Sequence, residues 1–288
     1  MPAAVRPALE SEIPRIAEFL ASRLKGEGGP ARYRRYLEYR WPVDRPDVGI
    51  VIEDGDEIRG FIGAIYSDRV IADRVHRFCN LTSIAVDESH RKLTLSAFGQ
   101  LLKRKDTTFT NFSGSEAVQK IFDFFKFKHR PGERAIVPIT GAGIPRRVLR
   151  RVKVTTDLDQ IIPMLGPTER KIAEDHASYR CAQLVIERED HRSHVIAVRR
   201  GRGLKVFADV LYASDRQLLV EELASIQPSL VRSLGTLLVG VDRCWMPAPP
   251  RLSFVYAKLR PTYARSPVLE IGDVDLLYSE LVPMSGDR

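Results

Sequence analysis

Residues 83–104 read SIAVDESHRKLTLSAFGQLLKR. The run up to Val86 is apolar and β-branched, which predicts the end of a strand. Asp87 to Lys92 is polar and charged, which predicts a tight turn. Beyond it, Leu95, Phe98, Leu101 and Leu102 fall on one face of a helix. A strand that turns sharply into a helix presents the helix's first backbone N–H groups to whatever lies in front of them, and such groups attract anions. Arg91 and Lys92 add positive charge at the same place. Glycine is the usual residue where a backbone must approach a phosphate closely. None stands between Arg91 and Ala97; Thr94 and Ser96 occupy the turn instead. Their hydroxyls can donate to an anion, but β-branched Thr94 accommodates a positive φ poorly.

Upstream of this stretch, VGIVIEDGDEIRGFIGAIYSDRVI (48–71) holds two β-branched runs around Asp54-Gly55-Asp56, a hairpin signal. VHRFCNLTSIAVDE (75–88) is the following strand. Nearer the N-terminus, Ile13, Ile16, Ala17, Leu20 and Leu24 mark one face of a helix, and a second helix runs through ARYRRYLEYRW until Pro42 stops it. Downstream, TTFTNFS (107–113) reads as a strand. SEAVQKIFDFFKF (115–127) reads as a helix with Ser115 as its cap and Val118, Ile121, Phe122 and Phe125 inward. The resulting order, β-α-α-β-β-β-α-β-α, predicts an α+β fold with a mixed sheet flanked by helices.

The first half resembles the GCN5-related N-acetyltransferases. Their signature is a strand, a turn of the form Gln/Arg-x-x-Gly-x-Gly/Ala, and a helix. Here LTSIAVDE is the strand and RKLTLS the turn, with Arg91 in the first position and Thr94 and Ser96 where glycines are expected. TNFSGSEAVQKIFDFFKFK is similar to the family's later strand and helix, with Asn111, Ser113 and Phe127 in its marked places. The resemblance covers about residues 3–130. It implies an acyl-CoA-binding lobe, taken as residues 1–135, with acetyl-CoA as the acyl donor and no metal. It implies coenzyme contacts from Ile84, Ala85 and Val86 on the strand, from Arg91, Lys92, Leu93, Thr94, Leu95 and Ser96 at the turn, and from Asn111 and Ser113. The family's thiolate-protonating tyrosine corresponds to Phe122 here, so Tyr66 or a water would take that part.

Acyl transfer to an amine also needs a group to take a proton. The candidates are Asp87 and Glu88, which otherwise read as turn residues at a helix start, and His76 and His90, which otherwise read as exposed neutral histidines. Cys79 reads as a small buried apolar residue. His191 and His194 have a metal-like spacing but no third ligand nearby.

The second half repeats an element order. SHVIAVRRGRGLKVFADVLYASD (193–215) reads as a hairpin, RQLLVEELASIQPSLVRSLG (216–235) as helix, and TLLVGVDRCWM (236–246) as strand, the sequence of elements found in 49–112. This predicts a duplicated fold, with residues 151–288 as a second lobe. Its helix start carries Arg216, then Glu221 and Glu222, and no small-residue turn, so the second lobe is expected to lack a coenzyme site.

Composition sets the outer limits. The chain has 288 residues, 44% hydrophobic and 28% charged, a globular balance. No apolar run approaches the roughly 20 residues of a membrane span. Three cysteines, Cys79, Cys181 and Cys244, stand far apart, which suits reduced thiols and a cytoplasmic setting. The net charge is +8. Its arginines are scattered apart from clusters at Arg146, Arg147, Arg150 and Arg151 and at Arg199, Arg200 and Arg202, and no nucleic-acid-binding motif accompanies them. The reading is therefore an acyl-CoA-dependent N-acyltransferase acting on a small amine such as an amino sugar. The alternative is a degenerate copy of the fold used for binding or assembly without turnover.

Overall fold

The structure, a computed structural model, describes residues 3–24, 28–139, 152–201 and 206–286. The expected basic cluster at Arg146, Arg147, Arg150 and Arg151 lies outside these residues, as do Arg202 and Gly203 of the expected hairpin turn. The chain divides into two units. The first takes residues 1–130, 260–274 and 278–287; the second takes 131–259 and 275–277.

In the first unit the order is β1 (Ala4–Pro7), α1 (Ile13–Arg23), α2 (Gly29–Leu37), β2 (Gly49–Asp54), β3 (Glu57–Ile71), β4 (Arg74–Val86), α3 (Thr94–Leu102), β5 (Thr107–Asn111) and α4 (Glu116–Phe124). This is the α+β pattern that the sequence predicts. Gly55, at φ 60, closes the β2–β3 turn. Neighbouring strands from β1 to β4 pair antiparallel, and β4 pairs with β5 in parallel. The last residues of β12 (Phe254–Arg265) then lie antiparallel to β5, with Tyr263 opposite Asn111. Phe98 of α3, Phe122 of α4, Phe127 and Tyr263 join the core on this sheet. Phe98 and Phe122 meet edge to face at 5.8 Å. Phe122 is fully buried, which contributes about 2–3 kcal/mol relative to exposure.

The second unit repeats the arrangement. Its elements are β7 (Lys153–Thr155), α5 (Leu158–Met164), α6 (Pro167–His176), β8 (Cys181–Arg188), β9 (His191–Arg200), β10 (Phe207–Ala213), α7 (Arg216–Glu221), α8 (Leu223–Leu234) and β11 (Leu238–Asp242). Strands β7 to β10 pair antiparallel in sequence order, and β10 pairs with β11 in parallel. The strand β6 (Lys128–Pro138) supplies residues 134–138 antiparallel to β11. The expected hairpin, helix and strand are present, and β8 precedes them as a further strand.

The sequence reading divides the chain once, between residues 135 and 151. The units interleave instead: the run of strands in each unit ends on one from the other half of the sequence, β12 in the first unit and β6 in the second. Ladder partners are set by where edges meet in space, which sequence adjacency does not record. Among the described residues no helix is long and apolar enough to cross a membrane.

Candidate active site

The β4/β5 ladder runs from Arg77 opposite Thr107 to Asn80 opposite Thr110 and ends there. On its other edge, β4 pairs Thr82 with Gly63 and Ala85 with Phe61, so one extra residue stands on β4. This is a bulge. Ser83 sits within it at φ 49, in the left-handed region that serine seldom enters. Ser83 and Ile84 therefore have no rung partner on either neighbouring strand.

Two cavities of the first unit meet at this bulge. Leu24, Ile84, Ser115 and Val118 line both. One is a groove of about 660 Å³ between the end of β4, the turn after it, α3 and α4. Ile84, Ala85, Val86, Asp87, Glu88, Arg91, Thr94 and Leu95 line it, with Arg23 from α1 and Ala117 and Ile121 from α4. Of the other residues expected at the turn, Lys92 and Ser96 are exposed outside the lining, and Leu93 packs against the core. Residues 88–93 form a 3-10 turn that runs directly into α3. The first residue before α3 is Leu93, whose side chain cannot cap the helix. Arg91 donates to Glu88 at 3.2 Å on an exposed surface.

Asp87 accepts from Arg23 at 2.6 Å and lies 3.6 Å from Arg59. The Arg23 hydrogen bond, partly opposed by burial, holds the Asp87 carboxyl below its ordinary value. Asp87 thus fixes Arg23 at the groove. His90 contacts Asp54 at 3.2 Å. Tyr66 lies elsewhere: it is buried, donates to Asp47 at 2.8 Å, and receives a bond from Arg104. Neither cavity has Tyr66 or Phe122 in its lining. The face of α4 turned to the groove carries Ala117, Val118 and Ile121, while Phe122 points into the core.

The second cavity, of about 320 Å³, has Tyr36, Ser83, Asn111, Ser113 and Glu280 in its wall. Asn111 ties the split strands together. Its amide donates to the Leu81 carbonyl at 2.6 Å, and its oxygen accepts from the N–H groups of Ser113 at 3.3 Å and Gly114 at 2.7 Å. A Cβ at Gly114 would lie 2.8 Å from that Asn111 oxygen, so the close turn requires glycine. Ser113 donates to Glu280 at 2.5 Å, and Asn80 donates to the other Glu280 oxygen at 2.5 Å. The Tyr36 hydroxyl is hydrogen-bonded to Ser83. Burial pushes the Tyr36 phenol above its ordinary value.

No family model matches the sequence, and no curated protein does. Solved structures do match in fold. A GCN5-related N-acetyltransferase from Anabaena variabilis aligns at 9% identity over 91% of this chain and 72% of its own, with a TM-score of 0.58. A putative acetyltransferase from Pyrococcus horikoshii aligns at 14% identity over 96% of this chain and 95% of its own, with a TM-score of 0.56. A GCN5-related N-acetyltransferase from Kribbella flavida aligns at 12% identity over 92% and 71%, with a TM-score of 0.55. The chain has the GCN5-related N-acetyltransferase fold.

Within this N-acetyltransferase fold, the structure gathers Ile84 to Glu88, Arg91, Thr94 and Leu95 at one cavity and Asn111 and Ser113 at the other. Sequence reasoning missed Arg23, Tyr36 and Glu280. Nothing local marks them, since Glu280 stands 167 residues from Ser113 and 200 from Asn80. His191 is exposed and His194 buried; three apart on one strand, they point to opposite faces. Among the described residues no group of three or more side chains could hold a metal ion.

Proposed function

We propose that this protein is an acyl-CoA-dependent N-acyltransferase, with acetyl-CoA as donor and a small primary amine, such as an amino sugar, as acceptor. The observation that carries the reading is the bulge at Ser83–Ile84, where the β4/β5 ladder ends at the junction of two cavities. Coenzyme A would supply the acyl group activated as a thioester. The Ile84 N–H would hold the thioester carbonyl and stabilise the charge that develops on its oxygen. The backbone of Ile84 to Val86 would bind the extended arm. The start of α3, with Arg91 and Arg23, would take the pyrophosphate. Thr94 stands in the groove where a glycine would bring the backbone closer, so its hydroxyl would have to face the phosphate. Asn111 would act through the backbone, holding the split open rather than touching the coenzyme. Ser115, which makes no cap bond to α4 and lines both cavities, would offer a proton to the leaving thiolate.

A second reading, binding without turnover, is favoured by one observation: the groove-facing side of α4 carries apolar residues where a hydroxyl would serve the thiolate. One experiment separates the two. Titration with acetyl-CoA is expected to raise the unfolding temperature, because a ligand bound by the native state alone stabilises it. Free thiol should then appear when primary amines are added. Binding without thiol release across an amine panel would favour the second reading. An unfolding temperature unmoved at millimolar acetyl-CoA would remove the acyltransferase reading and favour a degenerate copy of the fold used for assembly.

A further inference from the structure

Among the described residues, those other than glycine with a positive φ are Ala72, Asp73, Ser83, Lys126, Glu189 and Tyr278. Ser83 alone of these lies inside a strand, β4; the others stand between elements. Within a strand the extended pleat opposes a left-handed residue, so a serine stays there only if its surroundings hold it. The tie comes from α2. Tyr36 is 2% exposed, and its ring meets that of Tyr33 edge to face at 6.0 Å. Tyr33 in turn donates to the Leu24 carbonyl at 3.2 Å. The Tyr36 ring is thus fixed by packing, and its hydroxyl is hydrogen-bonded to the Ser83 hydroxyl. Both residues line the second cavity. Across the ladder, Gly63 leaves room for the bulge: a Cβ there would lie 3.0 Å from the Thr82 carbonyl oxygen. The planar Ser83–Ile84 peptide carries the Ile84 N–H, and the Ser83 dihedrals help to set its orientation.

We infer that Tyr36 is a positioning residue for acyl transfer: its bond to Ser83 holds the bulge in the left-handed turn and so aims the Ile84 N–H at the thioester carbonyl. This rests on the acyltransferase reading of the same site. Released from Tyr36, Ser83 would relax toward the extended region that serine prefers. The Ser83–Ile84 peptide would rotate with it. A misdirected donor loses most of its hold on a developing oxyanion, because that stabilisation depends on donors fixed in place before the reaction. Contacts to the rest of the coenzyme, along the end of β4 and at the start of α3, do not pass through Ser83. Loss of the Tyr36 hydroxyl therefore weakens polarisation of the carbonyl and leaves coenzyme affinity in place. Burial raises the Tyr36 pKa, so the phenol keeps its proton, and with it the bond to Ser83, across the neutral range.

The test needs no acceptor amine. The carbonyl stretch of acetyl-CoA bound to the full chain is read by isotope-edited infrared difference spectroscopy; a hydrogen bond to the oxygen lowers its frequency. The wild type is expected to lower it relative to acetyl-CoA in solution. Tyr36→Phe, which keeps the ring, should return it most of the way to the solution value. Free coenzyme A, titrated by calorimetry, should bind Y36F within about twofold of wild type. Ser83→Gly added to Y36F should restore the lowered frequency, because glycine enters the left-handed region without steric cost. A frequency unmoved in Y36F overturns the inference, as does a loss that Ser83→Gly fails to restore. Coenzyme A affinity that falls together with the carbonyl signal also overturns it, since that marks a role in packing alone. Should Y36F fail to fold, Ser83→Ala should lose the shift and Ser83→Gly retain it; equal frequencies in those two overturn the inference. Acetyl-CoA bound by the wild type at its solution frequency overturns it too, while coenzyme binding stands. If acetyl-CoA does not bind the wild type, the acyl-CoA reading itself has failed, and this inference falls with it.

Discussion

Arg91 and Lys92 are adjacent and equally charged, yet Arg91 lines the groove and Lys92 does not. The Arg91–Glu88 pair is largely solvent-exposed, so exchanging Glu88 for a ligand phosphate costs less than about 1 kcal/mol. A guanidinium can then make two directed bonds to phosphate oxygens, where an ammonium acts as a point charge. Arg91→Ala is expected to weaken coenzyme A binding about tenfold and Lys92→Ala less than about twofold, measured by calorimetry at fixed salt. Equal losses would indicate a diffuse basic surface and no directed contact. The residues from Ile84 to Leu95 were legible because a strand, a turn and a helix start are consecutive in sequence. Glu280, Tyr36 and Arg23 were not, because each reaches the site from an element distant in the chain, and no local periodicity encodes that approach. Asn111 was legible as a residue but not in its role, which lies in three hydrogen bonds to backbone.

At the scale of elements, the order of strands and helices could be read from alternation, turn glycines and helical faces. Strands β6, β7, β8 and β12 were not read as strands; in β8, CAQLVIER is a short apolar run whose periodicity does not separate strand from helix. Its pairing with β9 places Gln183 beside His194, with a 3.1 Å contact between the Gln183 side-chain oxygen and His194 Nε2. His194 is buried, and burial first, then the neighbouring His176, pushes its pKa down to about 4. The unfolded value is about 6.5, so the folded state resists protonation. The stability contributed by the neutral ring is complete above pH of about 6.5. It is lost as pH falls from there toward 4, by an amount on the order of 3 kcal/mol. Below the folded value this group adds no further slope. Wild type and His194→Gln should therefore differ in urea-unfolding free energy by an amount that shrinks steadily between neutral pH and pH of about 4. Parallel curves over that range would show that His194 is not the titrating group. Comparing the two proteins cancels the carboxylates, which titrate in both.

At the scale of the molecule, the duplicated fold poses the question of how many sites each chain carries, and one is expected. The two units can be compared rung by rung. In the first, the parallel ladder ends at Asn80 and Thr110, and the bulge beyond it opens into cavities. In the second, the parallel ladder ends at Asp209 and Gly240, and β10 shifts register between Val210 and Tyr212. There, among the described residues, buried side chains stand at the corresponding positions. Asp209 is fully buried and held by Arg134 at 2.6 Å and Arg200 at 2.7 Å, and Arg134 also reaches Asp242 at 3.3 Å. The ring of Phe207 covers Gly240 so closely that a Cβ there would lie 2.6 Å from it. Leu211, the residue at the register shift, is fully buried. The following helix differs in the same direction. Whereas α3 begins without a side-chain cap, α7 begins with Asp215, whose carboxylate accepts from the Leu218 N–H at 2.9 Å. That carboxylate occupies the end of the helix dipole where a phosphate would need to sit, and repels it. Opening the second position would mean breaking a buried ion-pair network, at a cost of roughly 3–5 kcal/mol per lost partner, before any ligand contact formed. Acetyl-CoA is therefore expected to titrate the intact chain with a stoichiometry of one. Asp215→Ala is expected to leave that stoichiometry unchanged while lowering stability by about 1 kcal/mol through loss of the cap. Two equivalent sites in the calorimetric isotherm, or a second site appearing in D215A, would show that the second unit retains a coenzyme position.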